Sequence, residues 1–279
     1  MNCIFVSDLH GNIKKYKKLF ELVEKKKPDA VFLGGDLLPN IPENDIKIID
    51  FLEKNFFSKI KKVQNKNRFF VILGNDDPRV FEKYFIDADK KDIIDYVNEK
   101  TVEFNDLFVT GYSFVPPTPF QLKDWERYDV SRFVDVGGVS PEKGRRTIDI
   151  DKDLIRFSTI SDDLEKLVKK SNPEKTIYLF HSPPYKSNLD RAKLDGKMVD
   201  NAPMDVHVGS IAIQRFIKKY NPLLTLHGHI HETVSLTKKW KEKFGTTYSF
   251  SGVSNVSEFA IVFFDTNDLD KAKRKTFYL

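Results

Sequence analysis

Short apolar runs alternate with amphipathic stretches along the first quarter of the chain. The runs at residues 3–6, 30–33 and 69–73 are continuous in apolar side chains and predict buried strands. Between them, residues 11–27 and 44–64 repeat apolar side chains at helical spacing, which predicts two amphipathic helices. Continuous apolar strands between such helices are typical of a parallel sheet that is covered on both faces.

The rest of the chain contains further strands and helices, but its pattern is less regular. Apolar residues on either side of Asn105 and Asp106 predict a hairpin at residues 102–104 and 107–111. The stretch at 113–153 begins with three prolines and is then rich in charge, so we interpret it as a loop or a small cap. The later predicted elements are a capped helix at 161–170, strands at 176–180 and 223–226, a long loop at 182–208, a helix at 211–220, and antiparallel strands within 233–264.

Composition excludes several classes of protein. Apolar residues make up 40% of the 279 residues and aromatic residues 13%, which supplies a sizeable core and argues against global disorder. No run approaches the ~18 apolar residues that a membrane helix needs. The single cysteine, Cys3, cannot form an internal disulfide, and no secretory signal pattern precedes the first strand. We therefore expect a cytoplasmic protein.

The net charge of +5 does not by itself indicate nucleic-acid binding. The 46 basic residues are spread along the chain among 41 acidic ones, which favours a solvated surface with mild attraction of anionic substrates. The sequence allows a nucleic-acid partner but does not support one, and it leaves the oligomeric state open.

Side chains that can bind metal ions follow five of the predicted strands directly. Parallel strands place their carboxyl ends along one edge of a sheet, where α/β proteins bind ligands. Each cluster by itself is more often explained by turn, helix-capping or structural side chains, but five such clusters together favour a shared metal site. The clusters are Asp8 with His10, Asp36, Asn75 with Asp76, His181, and His227 with His229.

Taken together, these motifs resemble those of the calcineurin-like metallophosphoesterases over roughly residues 1–265. The motifs are Ser7-Asp8-Leu9-His10-Gly11, Gly35-Asp36, Gly74-Asn75-Asp76-Asp77, His181 and Gly228-His229-Ile230-His231. The resemblance implies an α/β fold, a four-layer α/β/β/α sandwich, formed by a single domain with a cap-like insertion at about 113–153. Residues 266–279 would then be a basic C-terminal tail. The motifs His181-Ser182-Pro183-Pro184 and His207-x-Gly209-Ser210 further resemble a bacterial and archaeal branch of predicted phosphoesterases.

The same resemblance implies a site for two divalent cations that share Asp36. The implied ligands of the first cation are Asp8, His10, Asp36 and His229, and those of the second are Asp36, Asn75, His181 and His227. Imidazole and carboxylate ligands suit Mn, Fe, Zn or Ni, and we expect Mn to serve best in vitro. Two such cations lower the pKa of a shared water and hold two phosphate oxygens, which implies attack by a bridging hydroxide.

The sequence departs from the family pattern where Asp76 replaces the histidine that is thought to protonate the leaving group. An ordinary aspartate, with a pKa near ~3.9, is ionised at neutral pH and is a poor acid. Three explanations stay open: neighbours raise the pKa of Asp76, His207 supplies the proton, or the leaving group needs little assistance. Asp76 and His207 are therefore the candidate catalytic residues.

These motifs predict a dinuclear metal-dependent phosphoesterase that hydrolyses a phosphomonoester or phosphodiester, with a small phosphoester or a nucleotide as substrate. The segments at 113–146 and 182–208 are expected to shape the substrate pocket. The alternative is a catalytically weak scaffold that keeps the fold for protein binding. Asp76 favours that alternative, whereas the complete ligand set disfavours it, because a scaffold has no need for buried charges that a metal must neutralise.

Overall fold

The computed structural model describes residues 1–39, 45–63, 67–255 and 257–279. The predicted ends of the second helix, Asn44 and Gln64, lie outside these residues. The strands are β1 (Asn2–Val6), β2 (Ala30–Gly34), β3 (Arg68–Ile72), β4 (Asp95–Tyr96), β5 (Thr101–Phe104), β6 (Leu107–Tyr112), β7 (Thr176–Phe180), β8 (Met198–Val199), β9 (Ala202–Pro203), β10 (Leu224–His227), β11 (Lys241–Phe244), β12 (Thr247–Ser251), β13 (Glu258–Asp265) and β14 (Asp268–Tyr278). The α-helices are α1 (Ile13–Lys26), α2 (Asp45–Phe51), α3 (Ser58–Val63), α4 (Glu82–Asp89), α5 (Lys152–Phe157), α6 (Ile160–Leu167), α7 (Ile211–Tyr220) and α8 (Thr233–Thr237).

Within the described residues, the strands form two six-stranded sheets and one small hairpin, β8 with β9. The first sheet has the order β14-β13-β1-β2-β3-β4, and its strands β1 to β4 are parallel. The second sheet has the order β11-β12-β10-β7-β6-β5, in which β12, β10, β7 and β6 are parallel. The mixed α/β fold class predicted from the resemblance is confirmed.

Both faces of the parallel strands are buried, which explains their continuous apolar sequences. Along β1, Cys3 and Phe5 belong to a cluster with Leu179 and Leu226 of the second sheet. Their neighbours Ile4 and Val6 belong instead to the cluster that contains the apolar faces of the helices. Alternate residues therefore fill the layer between the sheets and the layer under the helices, which gives the four-layer arrangement.

The second predicted helix is interrupted in its middle. Residues Leu52–Phe57 form a π-helical stretch between α2 and α3, with Leu52 and Phe56 fully buried. Apolar periodicity cannot reveal such a stretch, because the inward-facing side chains keep nearly the same spacing.

The stretch at 113–153 contains no regular element between residues 113 and 151, all of which are described. It is nevertheless anchored in the core, because Trp125 is fully buried and packs edge-on against Phe114. The indole N–H of Trp125 also donates to the backbone oxygen of Asp77, at 2.8 Å. This segment, interpreted from its sequence as a loop or a small cap, is thus irregular in backbone but packs part of its length into the core.

The C-terminal segment differs from the predicted tail, because residues 268–278 form the edge strand β14, paired with β13. Leu269 and Ala272 face the core, while lysines occupy exposed positions. Charged side chains on an edge strand oppose pairing with another chain. None of the helices in the described part of the chain is long and apolar enough to cross a membrane.

Candidate metal centre

Four of the predicted site residues have left-handed backbone conformations just after strands. The φ angle is +59° at Asp8, +45° at His10, +52° at Asp36 and +76° at His229. Residues other than glycine rarely adopt this region of backbone φ and ψ, and each one that does costs about 1 kcal/mol or more of conformational free energy. The surrounding fold therefore holds the loops after β1, β2 and β10 in strained conformations, as is common at functional sites.

A first group of side chains converges from these three loops. Its ligand atoms lie within 4.8 Å of one another and belong to Asp8, His10, Asp36 and His231. The Nε2 atoms of His10 and His231 are 3.1 Å apart, and His231 Nε2 lies 3.5 Å from Asp8 Oδ1. Both carboxylates are buried, and the ion pairs that the structure gives them are with histidines. This donor set fits a divalent transition metal.

A second group shares Asp36 with the first and adds residues that follow β3 and β7. The Nε2 atom of His181 lies 3.0 Å from Asn75 Oδ1 and 3.3 Å from Asp36 Oδ2. The other ring nitrogen of His181 lies 2.8 Å from the backbone oxygen of Gly34, an acceptor that leaves Nε2 free to bind a metal. The ring of His229 has its centroid 5.3 Å from that of His181.

Two glycines are required by the close approach of these side chains. A Cβ atom at Gly74 would lie 2.3 Å from Asp36 Oδ1 and 2.6 Å from His181 Cε1. A Cβ atom at Gly228 would lie 2.7 Å from Asp8 Oδ2. These distances are far shorter than van der Waals contact, so any side chain at either position would displace a candidate ligand.

The structure does not bring His227 to either group. Its ring is fully buried and stacks on Phe180. Its Nδ1 lies 2.9 Å from the backbone oxygen of Ser182, and its Nε2 lies 2.8 Å from Thr225 Oγ1. Burial lowers the pKa of His227 to about 4. The ligand role predicted for His227 therefore has no geometric support, because both ring nitrogens contact protein atoms outside the two groups.

His231 is the candidate ligand that the sequence reasoning omitted. It lies beside Asp8 and His10, whereas His229, the histidine two positions earlier, lies beside His181. The signal was present in the motif Gly228-His229-Ile230-His231, whose two histidines flank a buried isoleucine. Sequence spacing alone could not show that the preceding His227 still belongs to β10 and points into the core.

Burial and charge act in opposite directions on the pair Asp36 and His181. Burial disfavours the charged form of Asp36, but the adjacent His181 holds the pKa of that carboxyl well below its usual range. Burial also works against a charge on His181, yet the Asp36 carboxylate raises the pKa of the ring to about 10. A bound cation needs unprotonated imidazole, so metal binding must displace this proton and is favoured as the pH rises.

Asp76 lies at the opening of the site. Its Oδ1 accepts a hydrogen bond from Asn75 Nδ2 at 2.7 Å, and its Oδ2 lies 3.8 Å from His10 Nδ1. Burial, followed by the charge of Asp36, raises the pKa of Asp76 to about 6. A bound cation would oppose this shift, because a nearby positive charge favours the ionised carboxylate.

Asp77 is a positioning residue that the sequence reasoning did not identify. It is fully buried and accepts hydrogen bonds from the backbone N–H groups of Leu37, Leu38 and Gly74, at 2.7–2.9 Å for the shortest to each. Its carboxylate therefore ties the loop after β2, which carries Asp36, to the loop after β3.

His207 and Asp190 form a second polar unit beside the metal groups. The Nδ1 atom of His207 lies 2.8 Å from Asp190 Oδ1. Asp190 is fully buried and also accepts from the backbone N–H groups of Lys186, Ser187 and Gly209. A carboxylate fixed in this way sets the orientation of the ring, as in many catalytic histidine pairs.

One cavity, of about 390 Å³, joins these features. Asp36, Asn75 and His229 lie at the end of the cavity that is formed by the candidate ligands, and Asp76 and His207 also line it. The remaining walls come from the segments at 116–138 and 185–209. Both segments that were expected to shape the substrate pocket thus contribute to this cavity.

Known proteins are similar to this chain in sequence pattern and in fold. The family model of the calcineurin-like phosphoesterases matches residues 1–233. Among solved structures, the protein TT1561 of Thermus thermophilus is similar with a TM-score of 0.57 and 15% identity, over 99% of this chain and 98% of that one. A dimetal phosphatase from Danio rerio is similar with a TM-score of 0.57 and 8% identity, over 100% of this chain and 98% of that one. In a comparison with curated protein sequences, none matched.

Proposed function

Because the chain belongs to the calcineurin-like phosphoesterase family, we propose that it is a dinuclear metal-dependent phosphoesterase acting on a phosphomonoester or phosphodiester. The observation that carries this proposal is the convergence on Asp36 of two groups of side chains, in which buried carboxylates lie beside buried and half-buried imidazoles. Such a set of charges without metal would be costly to bury.

In this proposal, His231 replaces His227 in the ligand set, and His229 belongs with His181. One cation would be held by Asp8, His10, Asp36 and His231, and the other by Asp36, Asn75, His181 and His229. The donor set suits Mn, Fe, Zn or Ni. When bound, two such cations lower the pKa of a shared water, so that hydroxide can attack, and stabilise negative charge on the phosphoryl group.

His207 protonates the leaving group, and Asp190 orients the His207 ring. Support comes from the buried Asp190 carboxylate at 2.8 Å from the ring and from the position of His207 in the wall of the cavity. Asp76 is a poorer donor, because cations beside it would keep its carboxyl ionised. In this assignment, His207 takes the role of the family histidine that Asp76 replaces in this sequence.

Metal exchange together with turnover tests the main proposal. Chelated protein should hydrolyse no aryl phosphate or phosphodiester, and Mn should restore hydrolysis more readily than Ca, which prefers ligand sets made only of oxygen. Asp36→Ala should lose metal and activity, whereas Asp87→Ala, a change at an exposed ion pair on α4, should keep both. Full turnover by protein shown by elemental analysis to be metal-free would disprove the proposal.

A series of aryl esters with different leaving-group pKa values tests the role of His207. Wild type should show a shallow dependence of rate on leaving-group pKa. His207→Ala and Asp190→Asn should steepen it, with losses of about 100-fold for the poorest leaving groups. Steepening in Asp76→Ala alone would assign the proton to Asp76. An unchanged slope in every variant would mean that the leaving group departs unaided.

A further inference from the structure

We propose that the cavity beside the metal centre selects phosphoesters whose organic group is an apolar, uncharged ring system, and that it rejects nucleoside polyphosphates and nucleic-acid strands. This inference rests on the proposed function, because it takes the metal-binding end of the cavity as the place of the phosphoryl group. Three features of the cavity carry it: exposed apolar side chains, the sign of its charges, and its size.

Large apolar side chains are exposed on one wall of this cavity. Phe133 is 71% exposed, Phe120 is 56% exposed and Val136 is 39% exposed, and all three line the cavity. Scattered exposed apolar residues are ordinary, but a group that lines one concave site marks a surface that a ligand covers. Pro117 and Met204 extend the same apolar wall.

The charged side chains of this cavity have the wrong sign for a polyanionic substrate. Asp135, Asp205 and Glu232 line it outside the metal groups, and none of its described lining residues is a lysine or an arginine. Lys186, whose charge reaches Asp205, is not among the lining residues. Additional phosphates or a carboxylate on the substrate, away from the phosphoryl group, would therefore meet repulsion from these carboxylates with no lysine or arginine in the described lining to offset it.

The size of the cavity limits the substrate to a small molecule. A volume of about 390 Å³ is at the lower end of the range for small-molecule sites. It accommodates a phosphoryl group with one or two rings. An extended strand of nucleotides would leave most of its length outside the cavity, and none of the described lining residues is a lysine or arginine that could bind its phosphates within the cavity.

Binding of three phosphonates to the Mn-reconstituted protein tests the inference by calorimetry. The probes are phenylphosphonate, 1-naphthylphosphonate and 4-carboxyphenylphosphonate. We expect the naphthyl compound to bind about tenfold more tightly than the phenyl compound, because it buries more apolar area. We expect the carboxylate compound to bind about tenfold more weakly than the phenyl compound.

Two variants and their controls assign these preferences to the cavity. Phe133→Ala should lower the preference for naphthyl to about threefold, whereas Phe157→Ala, which truncates another exposed ring outside the cavity, should not change it. Asp135→Lys should abolish the discrimination against the carboxylate, whereas Asp87→Lys makes the same charge change on α4 and should preserve it.

The outcomes separate this inference from the proposed function. Equal binding of the three probes, binding of none of them, or a Phe133→Ala variant that behaves like Phe157→Ala would overturn the inference. The expected ranking without hydrolysis of the corresponding aryl phosphates would support it and contradict the proposed function. Hydrolysis of all the phosphates together with equal binding would support the function and overturn the inference.

Discussion

Two histidines four positions apart illustrate how differently neighbouring residues can be used. His227 is the last residue of β10, and its ring is enclosed by the protein. His231 lies beyond the turn and reaches Asp8 and His10. The side chains differ in environment rather than in chemistry, and this difference allows a direct comparison by mutation.

Replacement of His231 by alanine should affect metal binding, whereas replacement of His227 by alanine should affect stability. His231→Ala should lower the metal content from two cations to about one and reduce kcat/KM by about 100-fold or more, because a candidate ligand is removed. His227→Ala should keep its metal but lower the free energy of unfolding by about 2 kcal/mol, because a buried, hydrogen-bonded ring is lost. Elemental analysis and urea denaturation of both variants check this. Metal loss confined to His227→Ala would reverse our assignment.

Residue types and their order were enough to predict most of the candidate site. The positions of Asp8, Asp36, Asn75 and His181 follow from the rule that ligands gather where parallel strands end. The exchange of His227 for His231 that we propose could not be foreseen, since a difference of one residue in the end of β10 decides which histidine leaves the strand. The role of Asp77 was equally hidden, because it depends on backbone N–H groups.

At the scale of the elements and the segments between them, the irregular segment at 113–153 contains a buried ion pair. Lys123 and Glu126 are both fully enclosed, with Lys123 Nζ 2.6 Å from Glu126 Oε2. Glu126 also accepts from the backbone N–H and the hydroxyl of Thr118, which lines the cavity. Burial raises the pKa of Glu126 to about 7, in spite of these donors, and lowers the pKa of Lys123.

This pair predicts a pH dependence of stability that Glu126→Gln should remove. Because the pKa of Glu126 is raised on folding, its contribution to stability is fully present below about pH 4.5 and is lost as the pH rises through about 7. The free energy of unfolding of wild type should therefore fall, relative to Glu126→Gln, by up to about 3 kcal/mol between pH 5 and pH 8. Urea denaturation at both pH values measures this difference.

The free energy of unfolding of wild type minus that of Glu126→Gln should fall between pH 5 and pH 8. A value of this difference that stays constant or increases with pH would contradict this account of the pair. The exposed change Glu53→Gln, on the π-helical stretch, is a suitable control. This change also removes one carboxylate, but Glu53 forms no ion pair among the described contacts. The pH dependence of the free energy of unfolding should therefore stay as in wild type.

The elements with continuous or periodic apolar patterns were predictable, and the others were not. The predicted bounds of β7 and α7 agree with the structure to the residue. The helices α4 and α5 and the hairpin of β8 and β9 were missed, because they are short and α5 has no buried residue. Short elements of this kind are stabilised by tertiary contacts that leave no periodic trace in sequence.

At the scale of the whole molecule, the candidate metal centre connects the two sheets. Asp8, Asp36 and Asn75 follow strands of the first sheet, whereas His181 and His231 follow strands of the second. A cation bound by both sets would stabilise only the folded arrangement, since these residues are far apart in an unfolded chain.

Metal should therefore raise the temperature of unfolding. At a concentration of cation ~100 times its Kd, the folded state gains about 2.7 kcal/mol, which corresponds to a rise in Tm of roughly 5 °C or more. Differential scanning calorimetry of chelated and Mn-loaded protein measures the shift. Asp36→Ala should show little of it, and an equal shift in that variant would mean that Mn stabilises the fold from another site.

The position of β13 has a consequence for the order in which the molecule can be made. β1 pairs on one side with β2 and on the other with β13, so that Asn2 lies opposite Asp265. While a ribosome is still synthesising β12, the first strand of the chain has an open edge and an apolar face without its neighbour. The first sheet, and with it the loop that carries Asp8, is completed only after nearly the whole sequence has emerged. A metal centre that uses Asp8 as a ligand would consequently form late in the synthesis of each chain.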